Sequence, residues 1–396
     1  MNPSDRRVFS ASWVLTMDGP ALEGGAVFVE GGTIRQIGKH EDVAQEAGAA
    51  ERVDLPGFVL LPPLVNAHAH LELTGLRPPV APGFAEWVLG VIAEKRAAPP
   101  ARWARAAAAG AEACLGAGQG WVADVVTRSE TAQGYPVGGP RILAFPELIA
   151  AHDEHLPAAW AGLERLETAC GGRAWGVSPH APYTVCAEGF RRVAGRARLM
   201  VHLAETAAEV EFCREGTGPI RDTLYETLGL APPPAPGLHP VDWLDRLGIL
   251  RPGAIVVHAV HVERRHVEVL ARSGTGVVLC PRSNRRLSGR AAPGRAFLDA
   301  GVPVALGTDS VLSSGDLDLR ADAAAAVDDY GWSPEEAVRV ATRGGAEVLG
   351  LGAGVGRFSP GARADMMAVP LEGRDPWETV LGGGRVEALW LDGEAV

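Results

Sequence analysis

Two histidines, His68 and His70, stand one residue apart in the apolar run LVNAHAH. In an extended strand residues i and i+2 point the same way, so both imidazoles can converge on one ion. An H-x-H pair is a weak signal alone. Its weight comes from His202 in RLMVHLAET and Asp309 in VPVALGTDS, which also fall at the ends of short apolar runs. Three imidazoles and a carboxylate form a mixed nitrogen and oxygen set suited to Zn²⁺ or Fe²⁺. A divalent ion lowers the pKa of bound water to about 7 and so supplies hydroxide at neutral pH, which requires proton carriers nearby. Glu205 follows His202 by three residues and can protonate a ring nitrogen of a substrate; taken alone, it can also be a helix-start carboxylate favoured by the dipole. His258 ends the run AIVVH and can orient or deprotonate the water. Asp309 can both bind metal and accept a proton.

These residues need a scaffold that gathers distant strand ends. The middle of the chain alternates short apolar runs with long Ala-, Leu-, Arg- and Glu-rich stretches, the rhythm of a parallel sheet. Eight such runs occur: FVLLPPLVNAHAH, GWVADVV, PRILAFPEL, AWGVSPHAPY, RLMVHLAET, GAIVVHAVH, GTGVVLCPRSN and VPVALGTDS. The expected class is α/β, a (β/α)8 TIM-type barrel over residues 58–355 with its active site at the C-terminal ends of the strands. Ser333-Pro334-Glu335-Glu336 predicts a helix start after the eighth run, continuing to about Leu349. Residues 1–57 and 356–396 carry period-two patterns broken at glycine turns, as in GGAVFVEGGTIRQIG. Together they predict a small β-sandwich domain built from both chain ends.

At 47% hydrophobic and 21% charged residues the chain has the proportions of a soluble globular protein. A net charge of -11 speaks against capture of nucleic acid and for a small-molecule partner. No apolar run reaches the roughly 18 to 20 residues of a membrane helix, and MNPSDRRVFSASWVLT lacks a signal peptide's apolar core. A cytoplasmic location without a membrane partner is therefore expected. Cys114, Cys170, Cys186, Cys213 and Cys280 are widely spaced, with no C-x-x-C, and are expected to be buried thiols. A homodimer is compatible with the barrel, but no interface is legible.

The series LVNAHAHLE, VSPHAPY, VHLAET, VVHAVH, LCPRSN and LGTDS resembles the amidohydrolase superfamily, within its branch of aromatic-base deaminases and chlorohydrolases. The resemblance runs along essentially the whole chain. It implies metal ligands at His68, His70, His202 and Asp309, a catalytic pair at Glu205 and His258, and a substrate-side histidine at His180. Two-metal relatives commonly bridge their ions with a carboxylated lysine from the fourth strand. AWGVSPHAPY contains no lysine, and Lys39 and Lys95 lie in other segments, so one ion per chain is expected, zinc before iron.

Within that branch CPRSNRRLSG, FAEWVLGVIAEKR and EFCREGTGPIRDTLYETLG are most similar to aminodeoxyfutalosine deaminases. The resemblance implies hydrolysis of the 6-amino group of an adenine nucleoside, turning 6-amino-6-deoxyfutalosine into futalosine and ammonia on a route to menaquinone. A carboxyphenyl tail calls for a guanidinium, and Arg282, just after the seventh run, is the expected bidentate partner. Ser283 is expected at the substrate or, like Asn284, as a turn-former. Glu72 is expected to hold a ribose hydroxyl or base nitrogen, or else to support the metal ligands electrostatically. Trp87 is expected to wall the nucleoside pocket or to belong to the core. A methylthioadenosine or S-adenosylhomocysteine deaminase is the near alternative. A catalytically silent barrel acting as a binding or assembly protein is the alternative of another class, and the retained proton carriers argue against it.

Overall fold

The computed structural model describes residues 6–396; residues 1–5 of the expected terminal domain lie outside the described residues. Eight parallel strands curl into a barrel: β1 (Leu64–Ala69), β2 (Gln119–Val126), β3 (Arg141–Leu148), β4 (Ser178–Pro179), β5 (Leu199–Leu203), β6 (Ala254–His258), β7 (Gly276–Leu279) and β8 (Val304–Leu306). Strands β1 to β4 pair in order, as do β5 to β8. Parallel bridges between Val177 and Leu199, and between Ala69 and Asp309, join the two halves. Alternate strand residues, among them Ala123 and Val125, Leu143 and Phe145, and Ile255 and Val257, enter one buried cluster with Leu349. Short Val- and Ile-rich runs suit strands covered on both faces.

The chain ends meet in one sheet. Arg6–Val14, Gly25–Glu30, Thr33–Lys39 and Glu51–Leu61 come from the N-terminal side, and Met366–Pro370, Ala388–Leu391 and Glu394–Ala395 from the C-terminal side. Gly31 and Gly32, with φ of 58° and 71°, form the two-residue turn between paired Glu30 and Thr33. Positive φ at both positions is what such a turn demands, hence the two glycines. Phe9, Leu60, Phe358 and Trp390 share a buried core of this sheet.

Three segments depart from the expected boundaries. FVLLPPLVNAHAH is two strands: FVLL completes Glu51–Leu61 of the terminal sheet, and only LVNAHA enters the barrel. Pro62 and Pro63 cannot donate ladder hydrogen bonds, so the break falls on them. AWGVSPHAPY contributes only two residues of strand. The helix begun by the Ser333 and Glu336 capping box passes through a π turn at Val340–Gly344 before Gly345–Leu349.

Over the C-terminal ends of the strands, helix α1 (Phe84–Ala97) packs against the stretch Ile220–Leu228. Tyr225 donates to the carbonyl of Tyr183 at 2.7 Å and ties that cover to the barrel. Among the described residues no helix is long and apolar enough to cross a membrane.

Candidate metal centre and active site

The seam between β1 and β8 sets the centre. Asp309 N donates to His68 O at 3.1 Å, and His70 N donates to Asp309 O at 3.2 Å, so the two strand ends interlock. The carboxylate Oδ1 of Asp309 then lies 3.6 Å from His68 Nε2 and 3.5 Å from His70 Nε2. Strand β5 brings His202 Nε2 to 3.4 Å from His70 Nε2. Ligands of a tetrahedral ion with bonds of about 2.1 Å stand about 3.4 Å apart, so the spacings among His68, His70 and Asp309, and that of His202 to His70, are of the size one ion requires; His68, His202 and His258 also lie close enough to share an ion. His68 Nε2 is buried with no hydrogen-bond partner, a state that is costly unless a ligand takes the lone pair. Burial lowers the imidazole pKa values, that of His70 to about 3 with help from His68, so the rings stay neutral and free to ligate.

Surrounding groups orient the members of the cluster. His202 Nδ1–H donates to His180 O at 2.9 Å, which leaves Nε2 as the free nitrogen. Asp309 Oδ2 accepts from Ser283 Oγ and Ser313 Oγ, both at 2.7 Å. Ser313 belongs to α4 (Val311–Ser314), and Ser283 to α3 (Pro281–Ser288). Burial works to raise the Asp309 pKa, but the neighbouring imidazoles of His68, His70 and His258 hold it well below the usual range.

Glu205 and His258 stand beside this cluster. His258 Nδ1–H donates to Asn284 Oδ1 at 2.9 Å, so its Nε2 carries the lone pair, 3.6 Å from Glu205 Oε1. Burial raises the Glu205 pKa, only partly offset by His258. His258, Ala259, Ala204 and Asp309 all have positive φ, from 44° to 75°. Non-glycine residues rarely adopt this conformation, and each costs roughly 1 to 3 kcal/mol, a strain that collects at functional sites.

The cluster opens into a cavity of about 780 Å³ lined by Trp87, His180, Lys95 and Glu147 among others. Trp87 is half-buried and stacks on Phe84 with ring centroids 6.4 Å apart. His180 Nδ1 is 2.7 Å from Thr184 Oγ1, whose proton goes to Ala181 O, so His180 donates there and keeps Nε2 as an acceptor. Glu147, raised to about 7 by burial, has a carboxylate oxygen within 4.8 Å of nitrogens of His180 and His202.

Three expectations for substrate contacts need correction. Arg282 does not line the cavity: Asp322 accepts from its Nε and Nη2 at 3.0 and 2.8 Å, and Asp316 from its Nη1 at 2.8 Å. Its charge is spent on these carboxylates. Ser283 touches Asp309 instead of the cavity. Glu72 is fully buried, and Lys95 Nζ, Thr127 Oγ1 and Thr131 Oγ1 donate to it at 2.9, 2.5 and 2.8 Å. It therefore supports the site from beneath.

Sequence reasoning missed Lys95, Glu147, Asn284 and Ser313. Asn284 and Ser313 lie in CPRSN and TDSVLSS, where a polar residue after a ligand-bearing strand end is the only cue. A further group, His239, Asp242 and His266, is not open to metal. His239 uses both nitrogens, Nδ1 accepting from Val241 N and Nε2 donating to His261 O.

A parallel barrel whose strand ends carry an ion-binding cluster and adjacent proton carriers is the make-up of a metal-dependent hydrolase. The chain belongs to the amidohydrolase family, which it matches over residues 59–396. The aminodeoxyfutalosine deaminase of Deinococcus radiodurans is 34% identical to it over 373 residues, 87% of this chain and 86% of that protein. The 5-methylthioadenosine/S-adenosylhomocysteine deaminase of Syntrophobacter fumaroxidans is 30% identical over 90% of this chain and 82% of that one. The crystal structure of an adenosine deaminase from Xanthomonas campestris with bound zinc is similar with a TM-score of 0.83 at 26% identity, over 98% of this chain and 92% of that chain.

Proposed function

We propose that the chain removes the 6-amino group of an adenine nucleoside by hydrolysis, with 6-amino-6-deoxyfutalosine as substrate and futalosine and ammonia as products. The observation that carries this reading is Glu205, a buried carboxyl with a raised pKa, 3.6 Å from His258 at the edge of the three-histidine, one-aspartate cluster. A carboxyl kept protonated there can give its proton to a ring nitrogen as the neighbouring carbon is attacked. One zinc ion is the expected occupant, with iron the other metal this donor set accepts. When bound, such an ion supplies hydroxide at neutral pH.

The chain's own groups manage the protons. Glu205 delivers its proton to purine N1 while oxygen bonds to C6. His258 Nε2, its lone pair fixed by the Nδ1 bond to Asn284, takes the proton of the attacking water together with Asp309. That proton passes to the 6-amino group, the C6–N bond breaks as ammonia leaves, and the proton still on the C6 oxygen returns to Glu205 as the C6=O forms. His180 Nε2 and Glu147, acceptors side by side in the cavity, meet the ribose hydroxyls. Phe84, Trp87 and Ile92 offer an apolar wall to an aryl tail.

A methylthioadenosine deaminase remains the second reading, favoured by the absence of arginine from the cavity lining among the described residues and by the 30% identical relative. Ammonia release from aminodeoxyfutalosine, methylthioadenosine, S-adenosylhomocysteine, adenosine and guanine separates them. Aminodeoxyfutalosine is expected to give the highest kcat/KM. If it were inert while methylthioadenosine turned over, the substrate assignment would fail and the deaminase assignment would stand.

A further inference from the structure

Two residues separate His202 from Glu205, and between them the chain leaves β5 through Ala204 at a φ of 49°. Helix α2 (Ala207–Glu215) begins directly after, capped by Thr206, whose Oγ1 accepts from Glu209 N at 3.3 Å. In an ordinary capping box the glutamate at the third helical position reaches back to the cap residue's own N–H. Glu209 reaches further. Its Oε1 accepts from Ala204 N at 2.8 Å and its Oε2 from Glu205 N at 2.9 Å. The carboxylate is 1% exposed and does not line the cavity, so both oxygens serve the backbone. From the other side, Val260 N and His261 N, just beyond His258, donate to Ala204 O at 3.1 and 2.9 Å.

We infer that Glu209 is a positioning residue for proton transfer: it grips the peptide N–H groups of Ala204 and Glu205, holds the left-handed turn, and so fixes the Glu205 carboxyl against His258. The bend carries Glu205 off the line of β5, and a left-handed alanine does not persist without such support. Glutamine at this position keeps one acceptor oxygen and sets an NH₂ against a peptide N–H. The inference rests on the proposed deamination, in which Glu205 is the acid.

The test is a double-mutant cycle on holoenzyme with a nucleoside that the wild type deaminates, comparing Glu209→Gln in the wild-type and Glu205→Gln backgrounds. Wild-type turnover tests the deamination itself, and the ratio within the cycle tests the grip. In the wild-type background kcat is expected to fall about 10- to 100-fold, with KM and bound metal little changed. In the Glu205→Gln background the same change should cost less than about threefold, because the group it positions is already gone. An equal loss in both backgrounds, or loss of metal in step with kcat, overturns the inference. Should Glu209→Gln not fold, Glu209→Asp, one methylene too short to hold both N–H groups, takes its place with the same split expected.

Discussion

Glu205 and Asp309 are buried carboxylates of one site whose surroundings push them apart. Burial alone would raise both. At Asp309 the neighbouring imidazoles overcome it; at Glu205 the single partner His258 does not. Opposite shifts suit Asp309 to the ligand role and Glu205 to the acid role of the proposed reaction. Glu205→Gln is therefore expected to keep its metal and lose about 10²- to 10⁴-fold in kcat, read by ammonia release beside metal analysis. Since the acid must carry its proton, wild-type activity should decline as pH rises through the raised Glu205 pKa, and Glu205→Gln should lack that alkaline limb. Near-normal turnover by the variant would remove Glu205 from the reaction. The clustering of His68, His70, His202 and Asp309 is legible in sequence because a strand's period of two and the ends of apolar runs already place them. Arg282 is misread because Asp316 and Asp322 lie far along the chain, and nothing local marks them as its partners. Lys95 is hidden for the related reason that one face of a helix gives no sign of the strand ends below it.

At the scale of elements, the spacing of β1 and β8 decides whether three ligands meet. A Cβ at Gly307 would lie 2.8 Å from both His68 Cβ and His68 O. Gly307→Ala must then separate the strands where Asp309 and the H-x-H pair interlock. Overpacking of this kind costs about 1 to 3 kcal/mol. The expected outcome is a lower Tm together with weaker metal retention in a chelator titration. Unchanged retention would show that this seam does not set the ligand spacing. Most barrel strands are readable as apolar runs, but their limits are not. Pro62 and Pro63 cut one run into strands of two different sheets, and the fourth run yields two residues of regular strand, its other pairings being isolated bridges at Ala174 and Val177. Thr206-x-x-Glu209 is visible as a capping-box pattern, but its reach to residues 204 and 205 requires the left-handed turn, which no propensity indicates at alanine.

Over the whole molecule, two stretches at opposite ends of the chain build one sheet, and Met366–Pro370 pairs antiparallel with Glu51–Leu61 immediately before the barrel begins. Their common alternation and glycine turns make that union readable, whereas strand order depends on pairings no local pattern encodes. The barrel gathers residues as distant as His68 and Asp309 into one ion-sized cluster under a largely apolar cavity, and this arrangement implies a metal-dependent deaminase of an adenine nucleoside. The most direct test is ammonia release from aminodeoxyfutalosine by the zinc-loaded and the chelator-stripped protein. Stoichiometric ammonia and conversion of the adenine to the hypoxanthine chromophore are expected with zinc, lost on stripping and restored on reloading. No ammonia from any adenine nucleoside by fully loaded protein, or equal turnover after complete stripping, would contradict it.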